Sequence, residues 1–171
     1  MSLYTDLHLN LSPEQQALKE LVHRFAKEVL RPTAVTRAAY EEALRYTQTR
    51  IQGGKPISEH QLVQKHLFDM FTKVETCRAL SRAAMAYNAV TDPPALEYAI
   101  ASKVYCTQAS LEVADTALQL FGGNGLSREY PMEKLYRDAR ASLIEDGAND
   151  VLALVGARRL LPSTSAEGGD R

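Results

Sequence analysis

Three short stretches carry the residue types that do chemistry. The first is Ile144-Glu145-Asp146-Gly147, two adjacent acids at a glycine break. Carboxylates there can cap the helix that follows or act as a general base. The second is Leu118-Gln119-Leu120-Phe121-Gly122-Gly123-Asn124-Gly125, a helix end running into glycines. Such glycines permit positive φ and leave backbone N–H groups open to a ligand, but a plain helix C-cap has the same form. The third is Arg50-Ile51-Gln52-Gly53-Gly54-Lys55-Pro56-Ile57, an arginine at a helix end before a turn. An arginine fork binds phosphate oxygens bidentately, and an arginine at a helix C-terminus also complements the dipole. Gln119, read alone, is a solvent-facing amide.

Two other patterns fail on inspection. Gly123-x-Gly125-x-x-Arg128 follows a helix, not a strand, and lacks the third glycine of a dinucleotide fingerprint. Glu20-x-x-His23 is half of a di-iron signature, but the residues three before His60 and His66 are Ile57 and Val63, so no second half exists and no metal site is expected.

The positioning elements follow from periodicity and breakers. Residues 1–10 have no clear period. Ser12-Pro13-Glu14-Gln15 reads as a capping box opening a helix that Pro32 ends or kinks near Leu30. A second helix is expected from about Thr33 to Ile51, with Val35, Ala39, Ala43, Leu44, Tyr46 and Thr47 on its inner face. Gly53-Gly54-Lys55-Pro56 stops it, and Ser58-Glu59-His60-Gln61 reads as a capping box for a long third helix. Thr91-Asp92-Pro93-Pro94 separates that helix from a fourth ending at Phe121, and a last helix runs to about Leu161. Asn149 and Asp150 at its start and Arg158 and Arg159 at its end suit its dipole. No stretch alternates as a strand does. The expected fold is all-α, an antiparallel bundle of four or five helices. Its units are an arm and opening helix (1–34), a bundle (35–161) and a tail (162–171).

Composition bounds the partners. With 20 basic and 21 acidic residues the net charge is −1, which gives no electrostatic footprint for nucleic acid. No apolar run is long enough to span a membrane, and the N-terminus lacks the regions of a signal peptide. Cys77 and Cys106, two isolated thiols within helical patterns, read as buried small hydrophobes in a reducing, cytoplasmic setting.

Taken together, the glycine turn, the Glu129-Tyr130-Pro131 and Tyr136-Arg137-Asp138-Ala139 blocks and the acid-Gly pair resemble the C-terminal domain of the acyl-CoA dehydrogenase family. The resemblance implies FAD as cofactor, an acyl-CoA thioester as substrate, and assembly as a homodimer or homotetramer. It implies that Arg50 reaches the FAD diphosphate of a neighbouring subunit, that Gln52 holds a matching cofactor-binding position, that Gln119 lies by the adenosine portion, and that Gly122 and Gly123 present backbone donors to the cofactor pyrophosphate. It also implies that Asp146 holds the position of the base that removes the α-proton, while the β-hydrogen leaves as hydride to the flavin. Glu145 is the second choice. Aspartate is one methylene shorter than the family's usual glutamate, and relatives acting on alicyclic acyl groups carry aspartate there. Gly53 stands where the family has phenylalanine, and Ala148 and Asp150 where it has a hydroxyl and a glutamine near the flavin. Arg137 and Asp138 are expected to pair and brace the acid loop. Residues 11–34 resemble the family's opening helix, with the rest of its N-terminal domain and its middle β domain absent. The expectation is therefore a truncated form, inactive alone, with a non-enzymatic oligomerising bundle as the alternative.

Overall fold

A computed structural model describes residues 31–161. The opening helix expected from Ser12 and the tail from Pro162 lie outside the described residues. Helix α1 (Arg31–Thr49) carries Pro32 in its first turn, where a missing N–H costs nothing. Thr36, Ala39, Ala43 and Thr47 recur at spacings of three and four and are fully buried. The helix stops two residues short of the expected Ile51 because Ile51–Gln52 (β1) pairs antiparallel with Lys55–Pro56 (β2) across Gly53 and Gly54. This two-residue hairpin is the sheet found among the described residues.

After a 3₁₀ turn, Ile57–Glu59, helix α2 spans Gln61–Val90. The expected capping box does not form. His60 is extended at the N-cap and makes no side-chain cap bond, while Ser58 sits within the 3₁₀ turn. Gln64 instead reaches back, Nε2 donating to the Ser58 carbonyl at 3.0 Å. Helix α3 (Leu96–Phe121) is the central element and packs against every other helix. Its buried face is built from small residues: Ser102, Cys106, Ala109, Ser110, Val113, Ala114 and Ala117. Leu96, at the first position of this helix, is 42% exposed.

Cys77 of α2 and Cys106 of α3 are both buried and free, and they meet across the helix pair, the Cys106 thiol donating to the Cys77 carbonyl at 3.6 Å. Hydrogen bonding to Cys106, together with burial, pushes the Cys77 thiol well above the ordinary thiol range.

At the end of α3, Gly122 takes φ +59° and its N–H bonds to the Gln119 carbonyl, so the turn Gly122–Leu126 reverses the chain. Helix α4 (Met132–Ser142) buries Met132 and Ala139 against the core. The expected Arg137–Asp138 pair is not made. Adjacent residues on a helix point apart, so Arg137 pairs with Glu133 at 2.9 Å and Lys134 with Asp138, each one turn away. A loop leads to α5 (Asn149–Leu160), with Asp150 in its first turn and Arg158 and Arg159 in its last. No helix among the described residues is long and apolar enough to cross a membrane.

Candidate functional site

The hairpin and the glycine turn create the first feature. Arg50 directly follows α1, its N–H bonded to the Tyr46 carbonyl at 2.9 Å and its own carbonyl accepting from Ile57 N–H at 2.8 Å. That bond closes the hairpin and sets Gln52 beside Arg50. Opposite them, α3 delivers Gln119 and then Gly122 and Gly123. All five residues line one cleft of about 490 Å³, completed mainly by Tyr46, Ile57, Phe121 and Asn124. A Cβ built on Gly122 or Gly123 would meet nothing within 4 Å, so the backbone there is open to close approach.

The cleft wall is a fixed aromatic group. Tyr46 stacks on Phe121 at 4.0 Å between ring centroids, and Tyr130 meets Phe121 edge-on at 5.4 Å. Asn124 Nδ2 donates to the Tyr46 hydroxyl at 3.0 Å, tying the glycine turn to α1. Tyr46, Asn124 and Tyr130 were read from sequence as an inner-face residue, part of the glycine turn and part of the Glu129-Tyr130-Pro131 block, and not as cleft residues. Tyr46 lies one turn before Arg50, a spacing that places both on one helix face and could have flagged it. A second, more open cleft of about 380 Å³ shares Tyr46, Arg50, Phe121 and Asn124 and adds Arg45, which pairs with Glu42.

Asp146 lies elsewhere. It lines a separate, mostly apolar pocket of about 260 Å³ with Leu96, Ala99, Ile100, Lys103, Leu152 and Val155. Glu145 does not line it. Asp146 is exposed and has φ +57°, left-handed for a non-glycine residue. This pocket adjoins the first turns of α3, whereas the cleft adjoins its last turn. From Ile100 to Leu120 a straight helix rises about 30 Å at 1.5 Å per residue. Within one chain, the arginine-glutamine-glycine cleft and the acid are therefore at opposite ends of one helix.

Among the described residues no group of three or more His, Cys, Asp or Glu is placed to hold a metal ion. Glu20 and His23 lie outside the described residues.

The comparisons agree with the helical fold. The model for "Acyl-CoA dehydrogenase, C-terminal domain" matches residues 14–161. Cyclohexane-1-carbonyl-CoA dehydrogenase of Geobacter metallireducens is 34% identical over 128 residues, which is 74% of this chain and 33% of that protein. The solved butyryl-CoA dehydrogenase of Megasphaera elsdenii is 30% identical with a TM-score of 0.76, covering 81% of this chain and 36% of that one. An acyl-CoA dehydrogenase of Geobacillus kaustophilus superposes with the same TM-score, 0.76, at 25% identity, covering 86% of this chain and 38% of that one. The chain belongs to the acyl-CoA dehydrogenase family, through the family's C-terminal helical domain. It spans about a third of the length of the relatives it matches. Members of the family depend on FAD, use acyl-CoA substrates and form oligomers.

Proposed function

We propose that this bundle contributes two separate parts of an FAD-dependent acyl-CoA dehydrogenase site: a cleft for the FAD diphosphate, and the base Asp146. The observation that carries the reading is the convergence of Arg50, Gln52, Gln119, Gly122 and Gly123 on one cleft from three elements. The residues present fit a dinucleotide. The Arg50 guanidinium supplies charge-assisted donors for diphosphate oxygens, the Gln52 and Gln119 amides supply neutral polar contacts, and the bare glycine backbone admits close approach. Tyr46 and Phe121 give the cleft an apolar floor.

FAD, when bound, supplies the hydride acceptor. Proton abstraction falls to this chain. Asp146 takes the α-proton of the acyl thioester on a carboxylate oxygen, beside an apolar pocket suited to the acyl group. The roughly 30 Å between the cleft and Asp146 means that they serve different FAD molecules. Two copies of the chain are then needed for each pair of sites, which supports a homodimer or homotetramer.

The reading is tested by titrating the protein with FAD, ADP and riboflavin. FAD and ADP bind if the cleft recognises the diphosphate, and riboflavin, which has none, does not. Riboflavin binding as tightly as FAD would remove the assignment.

A further inference from the structure

The Asp146 loop contains two successive residues with positive φ, Asp146 at +57° and Gly147 at +108°. Left-handed backbone is disfavoured for a residue with a Cβ, and it persists where the surroundings determine it. The surroundings here are one buried cation and its partners. Lys103 of α3 is 2% exposed, and its Nζ donates to the Gly147 carbonyl at 2.8 Å and to Asn149 Oδ1 at 2.8 Å. Asn149 Nδ2 in turn donates to Thr107 Oγ1 at 2.9 Å, and Thr107 Oγ1 donates to the Lys103 carbonyl at 2.9 Å. The Asn149 N–H closes the loop on the Leu143 carbonyl at 3.1 Å. Loop and first turn of α5 are thus clamped to α3 through the Lys103 ammonium group, which reaches the Gly147 carbonyl, and through the bonds of Asn149 to Thr107 and Val104.

We propose that Lys103 is the positioning residue for Asp146, acting through the carbonyl of the residue that follows the acid. The Gly147 carbonyl lies directly after Asp146, so holding it steadies the backbone of both residues and with it the direction of the Asp146 Cα–Cβ bond. An ammonium suits this task because it is a compact group with three rotatable donors. An apolar side chain of similar length fills the volume but leaves the Gly147 carbonyl and the Asn149 amide oxygen without this donor. Without the clamp the loop can leave its left-handed conformation, and the carboxylate then swings away from the pocket formed with Ile100, Leu152 and Val155. The proposal rests on the reading of Asp146 as the base.

The test uses the full chain and the variants Lys103→Met, Asn149→Leu and Asn149→Asp. Amide hydrogen exchange and three-bond couplings reporting the Asp146 side-chain rotamer are measured by NMR. Lys103→Met and Asn149→Leu are expected to speed exchange at the Glu145 and Asn149 amides by about tenfold or more, with α1 amides changed less than about twofold. In both, the Asp146 couplings move from one rotamer toward the average of several. Asn149→Asp, which keeps an acceptor for Nζ, retains the wild-type couplings. Unchanged loop exchange and couplings in both disruptive variants would overturn the proposal. So would faster exchange throughout the bundle, or failure of both variants to fold, since Lys103 would then be a general core residue. The base assignment is read separately, by whether Asp146→Asn abolishes proton abstraction in an assembled enzyme, so either idea can fail alone.

Discussion

Tyr46 and Phe121 stack with ring planes 15° from parallel, joining the end of α1 to the end of α3 beside the arginine-glutamine-glycine cleft. Phe121 is 4% exposed, and its carbonyl accepts from the Tyr46 hydroxyl at 3.4 Å. Phe121→Ala is expected to cost about 3–5 kcal/mol, as large aromatic truncations in cores do. Tyr46→Phe keeps the stack and loses the hydroxyl's bonds, costing about 1 kcal/mol. Urea denaturation of the two variants checks the order, and equal losses would mean the stack is not what holds this corner.

The glycine turn gives a sharper contrast. A Cβ on Gly125 would lie 2.7 Å from the Leu118 carbonyl oxygen and 3.1 Å from Phe121 Cβ, whereas one on Gly123 would touch nothing within 4 Å. Gly125→Ala is therefore expected to destabilise by about 1–3 kcal/mol through overpacking against backbone. Gly123→Ala should stay within about 0.5 kcal/mol in stability, as open surface changes do. Thermal unfolding of the pair checks this, and similar losses at both sites would contradict it.

Most of this architecture can be read from the chain, for identifiable reasons. Gly53-Gly54, Asp92-Pro93-Pro94 and Gly122-Gly123 break helical periodicity wherever the chain turns, so the order and ends of α2 and α3 follow from them. Arg50, Gln52 and Gln119 were legible only through the family resemblance, since read alone Gln119 is a solvent-facing amide and Arg50 a charge that complements a helix end. What was not legible depends on pairing between distant segments. Nothing near Lys103 indicates that it meets Gly147 and Asn149, more than forty positions away, and a lysine inside an apolar helix pattern reads as a surface charge. The Arg137–Asp138 expectation failed because adjacency in sequence is not adjacency on a helix. Cys77 and Cys106 look isolated in sequence, and only the packing of α2 on α3 brings them together.

Lys73 and Glu112 join α2 to α3 at 2.7 Å, and the Lys73 hydrogen bond holds the Glu112 carboxyl below its usual range. A carboxyl depressed in the folded state contributes stability that is present above its unfolded value and lost as pH falls through its folded value. Both side chains are partly exposed, so the contribution is at most about 1 kcal/mol. Lys73→Met should flatten the fall in stability below about pH 4.5, near the ordinary glutamate range. An unchanged acid limb would show that the pair contributes nothing.

Apolar side chains remain uncovered on α5, where Val151 is 59% exposed, Leu154 62% and Leu160 73%. Patches of this kind mark association surfaces. Light scattering at micromolar concentration is expected to show a dimer or larger species, and Leu154→Glu should shift it toward monomer. A monomeric wild-type protein would argue against association through this face.

Asp146 is exposed to solvent in the single chain. Water exclusion and tuning of a carboxylate proposed as the base both require a closed pocket. The chain by itself, given FAD, a panel of acyl-CoA thioesters and an artificial electron acceptor, is therefore expected to show no dehydrogenation. Turnover that disappears in Asp146→Asn would overturn this.

The cleft assignment is tested most directly by comparing two neighbouring arginines. Arg50 lines the cleft proposed for the diphosphate, whereas Arg45 lines only the adjoining one and is paired with Glu42. FAD affinity is measured by titration for the wild type, Arg50→Ala and Arg45→Ala. Loss of a charge-assisted contact to phosphate predicts weakening of about tenfold or more in Arg50→Ala, with Arg45→Ala within about twofold of wild type. Equal affinities in wild type and Arg50→Ala, or the larger loss in Arg45→Ala, would contradict the assignment.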